Sequence, residues 1–457
     1  MKLIIGLTLI ALLSGTGLSQ PYVPSPSYFG LIRAGDWKYL NWNGEAVLTD
    51  YYGSGPDLII PSSINGIPVK WIGGGAYSLT SQVLLADPWA IKNVHVPDGV
   101  VEIQEEAFNY FYALTNVNLS SSVTNITGAF SYCINLKNIN LTTNITSIGP
   151  STFAGCISLT NITLPNNLKA IGGGAFQQTG LNNISIPNSV TNIGPAAFKD
   201  CTNLISINLP QNLPVIPYGL LQNCSNLVSV TMLTNTHTIS DYAFNFCAKL
   251  NEILFPDTTA TIGEFAFAYT PALKAVSLPD GINEIKRFSF AGSGITNVQL
   301  GNNILNIESS AFFYCQSLNT INIPTTITNF NRDAFHGCIS LTNIFLTGDV
   351  PLFSISVFPS NATIFYQTNK SGWSTFNFEQ LRQEALRPSF SSHVLFTTNS
   401  STKLKLKLRT VRGLSYSIQK STDLFSWQNQ LNLSGNNSEQ EYEEAVQDKA
   451  FFRILQN

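Results

Sequence analysis

The sequence predicts a solenoid of stacked β-strands followed by a small all-β module, and three observations point to this fold class. One phrase of 22 or 23 residues recurs, as in LTNITLPNNLKAIGGGAF (159–176) and LNNISIPNSVTNIGPAAF (181–198). Within it, apolar and polar residues alternate, as in Ile162-Thr163-Leu164, which is typical of a half-buried strand. Hydrophobic residues make up 44% of the chain and charged residues only 11%. A fixed period with this composition indicates a repeat architecture.

A closing aromatic residue sets the period. Leu221 fills one gap in the series, and Tyr77 in IGGGAY is an earlier member, offset by an insertion. One unit cannot bury its own Leu, Ile and Phe, whereas stacked units cover each other's apolar edges. We therefore expect about 12 repeats and a core roughly 50 Å long, since stacked strands lie about 4.8 Å apart. The phenylalanines that define the steps are Phe108, Phe130, Phe153, Phe176, Phe198, Phe244, Phe267, Phe290, Phe312 and Phe335.

Each repeat reads roughly L-x-x-I-x-L-P-x-x-h-x-x-I-G-x-x-A-F-x-x-C-x-x, where h is apolar. The I-x-L segment predicts a strand, and a proline such as Pro165 ends it by removing a backbone donor. The Ile-Gly and Ala-Phe segments are then expected to return the chain through short turns or helical turns on the convex side. The strands would form one parallel sheet.

This pattern resembles the BspA-like class of bacterial leucine-rich repeats. The resemblance rests on I-x-L-P, the following I-G and the A-F-x-x-C step, as in IGPSTFAGCISLTNITLP (148–165), and it covers about residues 60–350. The segment 44–77 is similar to the usual lead-in of such arrays. The resemblance implies a leucine-rich repeat solenoid, a bacterial host, and a role in extracellular protein binding or surface attachment.

The N-terminus predicts export. Lys2 precedes an apolar run from Leu3 to Leu13, and small residues follow at Gly17 and Ser19, which is typical of a cleaved signal peptide. The run is too short to span a bilayer, and no later segment predicts a membrane span. The net charge of −3 gives no basic field for nucleic acid. The protein is expected to be secreted or held at the bacterial cell surface.

The C-terminal part departs from the repeat. The last strand of the array is expected at 363–366, and residues 394–457 predict a small β-sandwich of about five strands. It resembles a C-terminal module of other secreted bacterial proteins, through Ser421 to Leu424, Trp427 and Phe451 to Arg453. The predicted domains are the signal peptide 1–19, a lead-in cap 20–59, the solenoid 60–366, a linker 367–393 and the module 394–457.

A row of basic residues in the module has two interpretations. It would contact an anionic polymer at the cell surface, or it would protect an exposed strand from pairing with other chains. We favour the second. The residues are Lys403, Lys405, Lys407, Arg409 and Arg412.

The seven cysteines occupy one repeat position, three residues after the closing residue. Disulfides between neighbouring turns are possible in an exported protein, but side chains in register suit a disulfide poorly. We expect buried thiols. His95, His237, His336 and His393 lack the spacing of a zinc site, so no metal, cofactor or catalytic residue is predicted. The cysteines are Cys133, Cys156, Cys201, Cys224, Cys247, Cys315 and Cys338.

Polar residues on the strands form the candidate binding face. The residue before each central Ile or Val forms a first column and the residue after it a second column. Their neutral side chains suit a protein or a polysaccharide, but they are also good solvating residues for strands. The candidate residues are Asn116, Asn118, Asn138, Asn140, Asn161, Thr163, Asn183, Ser185, Asn208, Thr231, Leu254, Gln299, Asn322 and Phe345.

The sequence thus predicts an exported, non-enzymatic, monomeric protein that recognises an extracellular protein or polysaccharide. The alternative is a structural spacer or envelope component that displays the C-terminal module. Loss of binding on changing the face would favour the first role. Tolerance of those changes would favour the second.

Overall fold

The computed structural model describes residues 30–73, 89–231, 235–354, 356–359, 362–367 and 370–373. It also describes six strand segments, at 393–396, 404–409, 415–421, 428–434, 439–444 and 451–456. The predicted signal peptide, Tyr77, Trp427 and most of the predicted linker lie outside the described residues.

Six strands form the lead-in. They are β1 (Leu31–Ala34), β2 (Trp37–Trp42), β3 (Glu45–Tyr51), β4 (Asp57–Ile59), β5 (Ser63–Ile64) and β6 (Ile67–Ile72). The first three pair antiparallel, and β3 then pairs parallel with β6. Because β4 and β6 pair in parallel with the first strands of the array, the lead-in supplies a turn of the solenoid. The solenoid has about 13 turns.

The I-x-L segments form the first sheet, as predicted. Its strands are β7 (Asn93–His95), β9 (Asn116–Asn118), β10 (Asn138–Ile139), β13 (Asn183–Ser185), β15 (Ser206–Asn208), β17 (Ser229–Thr231), β20 (Ala275–Ser277), β22 (Asn297–Gln299), β24 (Thr320–Ile323), β26 (Asn343–Leu346) and β28 (Thr363–Gln367). All pairs between neighbouring turns are parallel and in register. The segments at 161–163 and 252–254 occupy the same position in their turns but do not form a regular strand.

The Ile-Gly segments form a second parallel sheet that the sequence did not predict. Its strands are β8 (Glu102–Ile103), β11 (Ser147–Ile148), β12 (Ala170–Ile171), β14 (Asn192–Ile193), β16 (Val215–Ile216), β18 (Thr238–Ile239), β19 (Thr261–Ile262), β21 (Glu284–Ile285), β23 (Asn306–Ile307), β25 (Asn329–Phe330) and β27 (Leu352–Phe353). Each strand has only two residues, too few to show an alternation in sequence. Its second residue is buried in all but β27.

The core lies between the two sheets and is built around the closing phenylalanines. Their rings stack from turn to turn, with centroids 5.3–6.0 Å apart from Phe108 to Phe198. Stacking resumes from Phe244 to Phe335 at 5.1–5.6 Å. Phe358 continues the column beyond the predicted series. Offset aromatic stacking adds to the large apolar area that each ring removes from water.

Hydrogen-bonded turns connect the sheets, and the described part of the chain contains no α-helix. Of the short turns or helical turns that we expected, the structure has the short turns, because each connection is shorter than a stable helix needs. No helix in the described ranges is long and apolar enough to cross a membrane. Two of the three 22-residue steps arise where Gly180 and Gly294 shorten the turn after the phenylalanine. A Cβ there would collide with the carbonyl oxygens of Ile157 and Pro271.

The first sheet does not end at 363–366, contrary to our expectation. Strand β28 pairs parallel with β29 (His393–Phe396), which pairs antiparallel with β34 (Phe451–Gln456). Beyond β34 lie β31 (Ser415–Ser421) and β32 (Gln428–Ser434). A separate pair, β30 (Leu404–Arg409) and β33 (Glu439–Glu444), places Lys405, Lys407 and Arg409 opposite glutamates. The C-terminal part thus holds six strands in the described segments.

Candidate functional site

The seven cysteines are structural. All are free and buried, and each Sγ donates a hydrogen bond of 3.0–3.2 Å to the carbonyl oxygen of the closing residue one turn earlier. Burial raises the pKa of Cys156 and Cys247 to about 12 and that of Cys201 to about 11. The protonated thiol is the form that fills this place, so these groups are poor nucleophiles.

The ionisable groups of the described residues were the first candidates for chemistry. No group of three or more His, Cys, Asp or Glu side chains is placed to hold a metal ion there. Burial, followed by a hydrogen bond to Glu308, raises the pKa of Glu284 on the second sheet. Burial also raises the pKa of Glu102, although a hydrogen bond from Asn125 opposes it. The polar columns of the first sheet remain as the candidate functional surface.

The first column begins with a ladder of side-chain amides. Asn93 Nδ2 donates to Asp57 Oδ1 at 2.6 Å, Asn116 Nδ2 to Asn93 Oδ1 at 2.7 Å, and Asn138 Nδ2 to Asn116 Oδ1 at 2.8 Å. Each bond links neighbouring turns, so Asn116 and Asn138 contribute to stacking although both are exposed. Asp57 was missed in the sequence, although DLIIP (57–61) aligns with NVHVP (93–97).

Three other candidates also have structural contacts. Asn140 accepts from the backbone N–H of Leu119 at 2.8 Å and donates to the carbonyl of the same residue at 2.9 Å. The Asn140 side chain thus replaces the two backbone hydrogen bonds that a continued strand β10 would form with Leu119. Gln299 accepts from Ser277 Oγ at 3.4 Å. Phe345 is half-buried, with its ring centroid 4.6 Å from that of Phe365.

A different arrangement occurs on β13, β15 and β17. Ser185, Asn208 and Thr231 lie directly opposite one another in consecutive strands and are all exposed. None of them has a side-chain hydrogen bond to another described residue. In the first column beside them, Ser206 Oγ donates to Asn183 Oδ1 at 2.8 Å. We call Asn183, Ser185, Ser206, Asn208, Ser229 and Thr231 the polar strip.

Exposed apolar side chains border the polar strip. Leu254 continues the second column one turn after Thr231 and is 71% exposed. Ile205, immediately before β15, is 49% exposed and was not among the predicted residues. Free polar groups beside exposed apolar side chains allow a ligand to form hydrogen bonds and to bury apolar surface at the same time. Of all the polar columns, the strip is therefore the best candidate for contact with a ligand.

The remaining candidates are exposed but separate from the strip. Asn118 on β9 lies opposite His95 on β7, and Asn322 on β24 lies opposite Phe345 on β26. Asn161 and Thr163 occupy the segment that has no regular strand. The structure therefore brings Asn183, Ser185, Asn208, Thr231 and Leu254 together. The other predicted residues are distributed along the solenoid.

A family model described as the BspA type leucine rich repeat region matches six copies, at residues 86–176, 127–251 and 237–364. A leucine-rich repeat protein from Bacteroides ovatus is 22% identical, with 74% of this chain and 100% of that chain covered and a TM-score of 0.47. A leucine rich cell surface protein from Faecalibacterium prausnitzii is 24% identical, with 70% of this chain and 95% of that chain covered and a TM-score of 0.41. The pneumococcal vaccine antigen PcpA is 16% identical, with 74% of this chain and 94% of that chain covered and a TM-score of 0.45. The comparison with curated proteins gave no match.

The matched segments together cover residues 86–364, which is more than half of the chain. They include the closing phenylalanines from Phe108 to Phe358, the buried thiols and the whole polar strip. The same residues form the stacked turns described above. The protein therefore belongs to the BspA-type leucine-rich repeat family.

Proposed function

We propose that this protein is exported to the bacterial surface or medium and recognises an extracellular protein or polysaccharide through the polar strip. The N-terminal sequence supports export, because it has the charge, apolar run and small residues of a signal peptide. Membership of a repeat family supports recognition, since stacked repeats create extended surfaces suited to binding. The role is non-enzymatic, and the use of the buried thiols as structural donors supports this.

The observation that carries the proposal is the in-register row of Ser185, Asn208 and Thr231. Some neutral side chains elsewhere on the first sheet bond to one another, as in the ladder from Asp57 to Asn138. Asn118 and Asn322 also have no side-chain hydrogen bond to a described residue, but each has a neighbour of another kind opposite it, His95 and Phe345. These three have exposed donors and acceptors at the regular spacing of strands, about 4.8 Å. A repeating ligand, or an extended peptide segment, could bond to all three.

The test uses the mature chain, residues 20–457, on arrays of glycans, cell-wall polymers and extracellular matrix proteins. The double variant Asn208→Arg/Thr231→Arg places two bulky cations in the strip. Asn192→Arg on β14 is the matched control, because Asn192 is an exposed strand residue on the second sheet. Circular dichroism and thermal unfolding show whether each variant keeps the fold.

We expect a saturable hit that the double variant weakens by about tenfold or more and the control leaves unchanged, since unpaired charges at a contact are costly. Equal binding by all three proteins would contradict the polar strip as the site. A hit that follows residues 394–457 alone would favour the alternative role. In that role the solenoid displays the module, which the pairing of β28 with β29 would hold in line.

A further inference from the structure

Two rows of aromatic side chains lie on the turns that follow the second-sheet strands. Row A contains Tyr242, Phe265 and Phe288, with neighbouring centroids 4.9 and 4.7 Å apart. Row B contains Phe246, Tyr269 and Tyr314, which are 46–47% exposed. The rows belong to the same few turns. Row A is half-buried and row B is exposed, and we call the six side chains together the aromatic patch. Surfaces of this kind mark sites of interaction.

The fold does not require aromatic residues at these positions. All six have a positive φ of 53–60°, a conformation in which a bulky side chain is an outlier. Other turns have glycine, at Gly128, Gly174 and Gly219 for row A and at Gly155, Gly292 and Gly337 for row B, or small and polar residues such as Ser151, Ala196, Gln178 and Asn223. At the row B position of two earlier turns, Tyr110 and Tyr132 are also aromatic. The patch therefore replaces the residue that the backbone favours with large, partly exposed rings. Such replacement points to a role outside the stability of the single chain.

Charges beside row A follow a definite order. The residue three positions before each closing residue reads, over six consecutive turns, Tyr218, Asp241, Glu264, Arg287, Ser309 and Arg332. Asp241 and Glu264 in the first half are acidic, whereas Arg287 and Arg332 in the second half are basic. Arg332 also forms an ion pair of 3.2 Å with Asp333. Arg287 and Glu264 are neighbours, yet the Arg287 guanidinium lies over the Phe288 ring, 5.1 Å from its centroid. Within the described residues, no ion pair joins Arg287 to Glu264.

We propose that the aromatic patch binds a second copy of this chain, with the two solenoid axes antiparallel. The two-fold axis would pass between the turns of Glu264 and Arg287. Glu264 of each copy then faces Arg287 of the other, and Phe265 faces Phe288. Farther out, Tyr218 faces Arg332, where a cation and an aromatic ring attract each other. The order of charges favours a second copy because a two-fold interface must be complementary to itself.

The proposed dimer replaces the monomer expected from the sequence and leaves the polar strip free. The strip belongs to the first sheet, whereas the aromatic patch lies on turns beyond the second sheet. A dimer would carry two strips, and a ligand with repeated sites would gain avidity from binding both. The dimer itself does not depend on the proposed function of the strip.

Sedimentation velocity of the mature chain over a wide concentration range tests the dimer. Glu264→Arg and Arg287→Glu each place like charges opposite one another, so each should weaken dimerisation by about tenfold or more. The double variant Glu264→Arg/Arg287→Glu exchanges the charges and should restore it. Glu105→Arg is the matched control, because Glu105 is exposed and occupies the same repeat position in a turn outside the patch.

Dimerisation that each single reversal weakens and the exchange restores would support the interface. A wild-type chain that stays monomeric at every concentration would overturn the proposal. So would a dimer that both single reversals leave intact. Because the exchanged variant contains both substitutions, its dimerisation also shows that neither change prevents folding.

Discussion

At the scale of single residues, the cysteine position shows what a repeat requires there. The thiol is small enough for a fully buried place and still donates to a carbonyl of the preceding turn. Thr179 and Thr270 occupy the same position but donate to the closing Phe of their own turns. Phe111 takes this place in the turn of Phe108, but the cysteine and threonine turns share a small donor there. Redox or metal chemistry is not needed to explain the cysteines.

We predict that none of the seven thiols reacts with a disulfide reagent such as DTNB at pH 8 in the native protein. Burial excludes the reagent, and the raised pKa values of Cys156 and Cys247, both about 12, leave little thiolate. All seven should react in guanidinium chloride without a reductant. A count below seven would reveal disulfides, and fast native reaction would contradict the burial.

Ser289 and Thr152 occupy the same position, immediately before the closing phenylalanine. Ser289 Oγ is buried without a hydrogen-bond partner, whereas Thr152 Oγ1 accepts from Gly128 N and donates to Gly149 O. We expect Ser289→Ala to raise the free energy of unfolding by about 1 kcal/mol and Thr152→Ala to lower it by about 1–3 kcal/mol. Chemical denaturation measures both, and equal effects would contradict this explanation.

At the scale of elements, the phenylalanine column has one interruption. Leu221 takes the place of the ring between Phe198 and Phe244, and Leu220 takes the place of the alanine found in most turns. Both leucines are fully buried. The pair Leu220-Leu221 therefore takes the place of the usual Ala-Phe pair and distributes a similar side-chain volume differently within one turn.

Leu221→Phe alone should lower the free energy of unfolding by about 1–3 kcal/mol, because the larger Leu220 remains and the site becomes overpacked. Adding Leu220→Ala should recover at least about 1 kcal/mol of that loss, since it restores the usual Ala-Phe pair. Denaturation midpoints of the single and double variants provide the measurement. A double variant less stable than Leu221→Phe would show that the volumes are not coupled.

Glu284 on β21 makes the stability of the second sheet depend on pH. Burial and the hydrogen bond to Glu308 raise its pKa in the folded chain above the unfolded value of 4.5. The resulting stability is fully present below pH 4.5 and is lost as the pH rises through the folded pKa. Glu284→Gln stays neutral, so it should melt at a higher temperature than the wild type at pH 7.

The advantage of Glu284→Gln should disappear below pH 4.5, where the wild-type carboxyl group is protonated in both states. Glu252→Gln is a suitable control, because Glu252 is exposed in the first column and its carboxyl group has no hydrogen bond or ion pair with another described residue. Thermal melts of the three proteins between pH 3.5 and 7.5 would show the difference. An advantage that stays constant with pH would contradict the assignment.

At the scale of the whole molecule, each turn bonds mainly to its two neighbours, so complete turns should be removable. Deleting residues 245–267 joins Phe244 to Ala268 and keeps the repeat in phase. We expect this variant to fold cooperatively with one turn fewer, because stability in such arrays is a sum over repeats and their interfaces. Deleting 245–256 breaks the phase and should abolish folding. Circular dichroism and thermal melts distinguish the two.

Much of this architecture was predictable, because the spacing between closing residues such as Phe108 and Phe130 stays at 22 or 23 residues even where other positions of the repeat differ. The second sheet was not, since strands such as Asn192–Ile193 are too short to show a pattern. The sequence also could not separate Asn116, which bonds within a ladder, from Asn208, which does not. Both are exposed asparagines on strands, and only the neighbouring turn decides their role. The continuation of the sheet into β29 depends on a pairing distant in sequence.

The bonding of each turn mainly to the turns beside it has a mechanical consequence. Under tension between the two ends, the contacts between turns are loaded in series, and the weakest turn detaches first. Each detached turn releases 22 or 23 residues, or roughly 75 Å of extended chain. A protein held at one end and bound to a ligand near the other would therefore lengthen in equal increments and absorb force before the ligand is released.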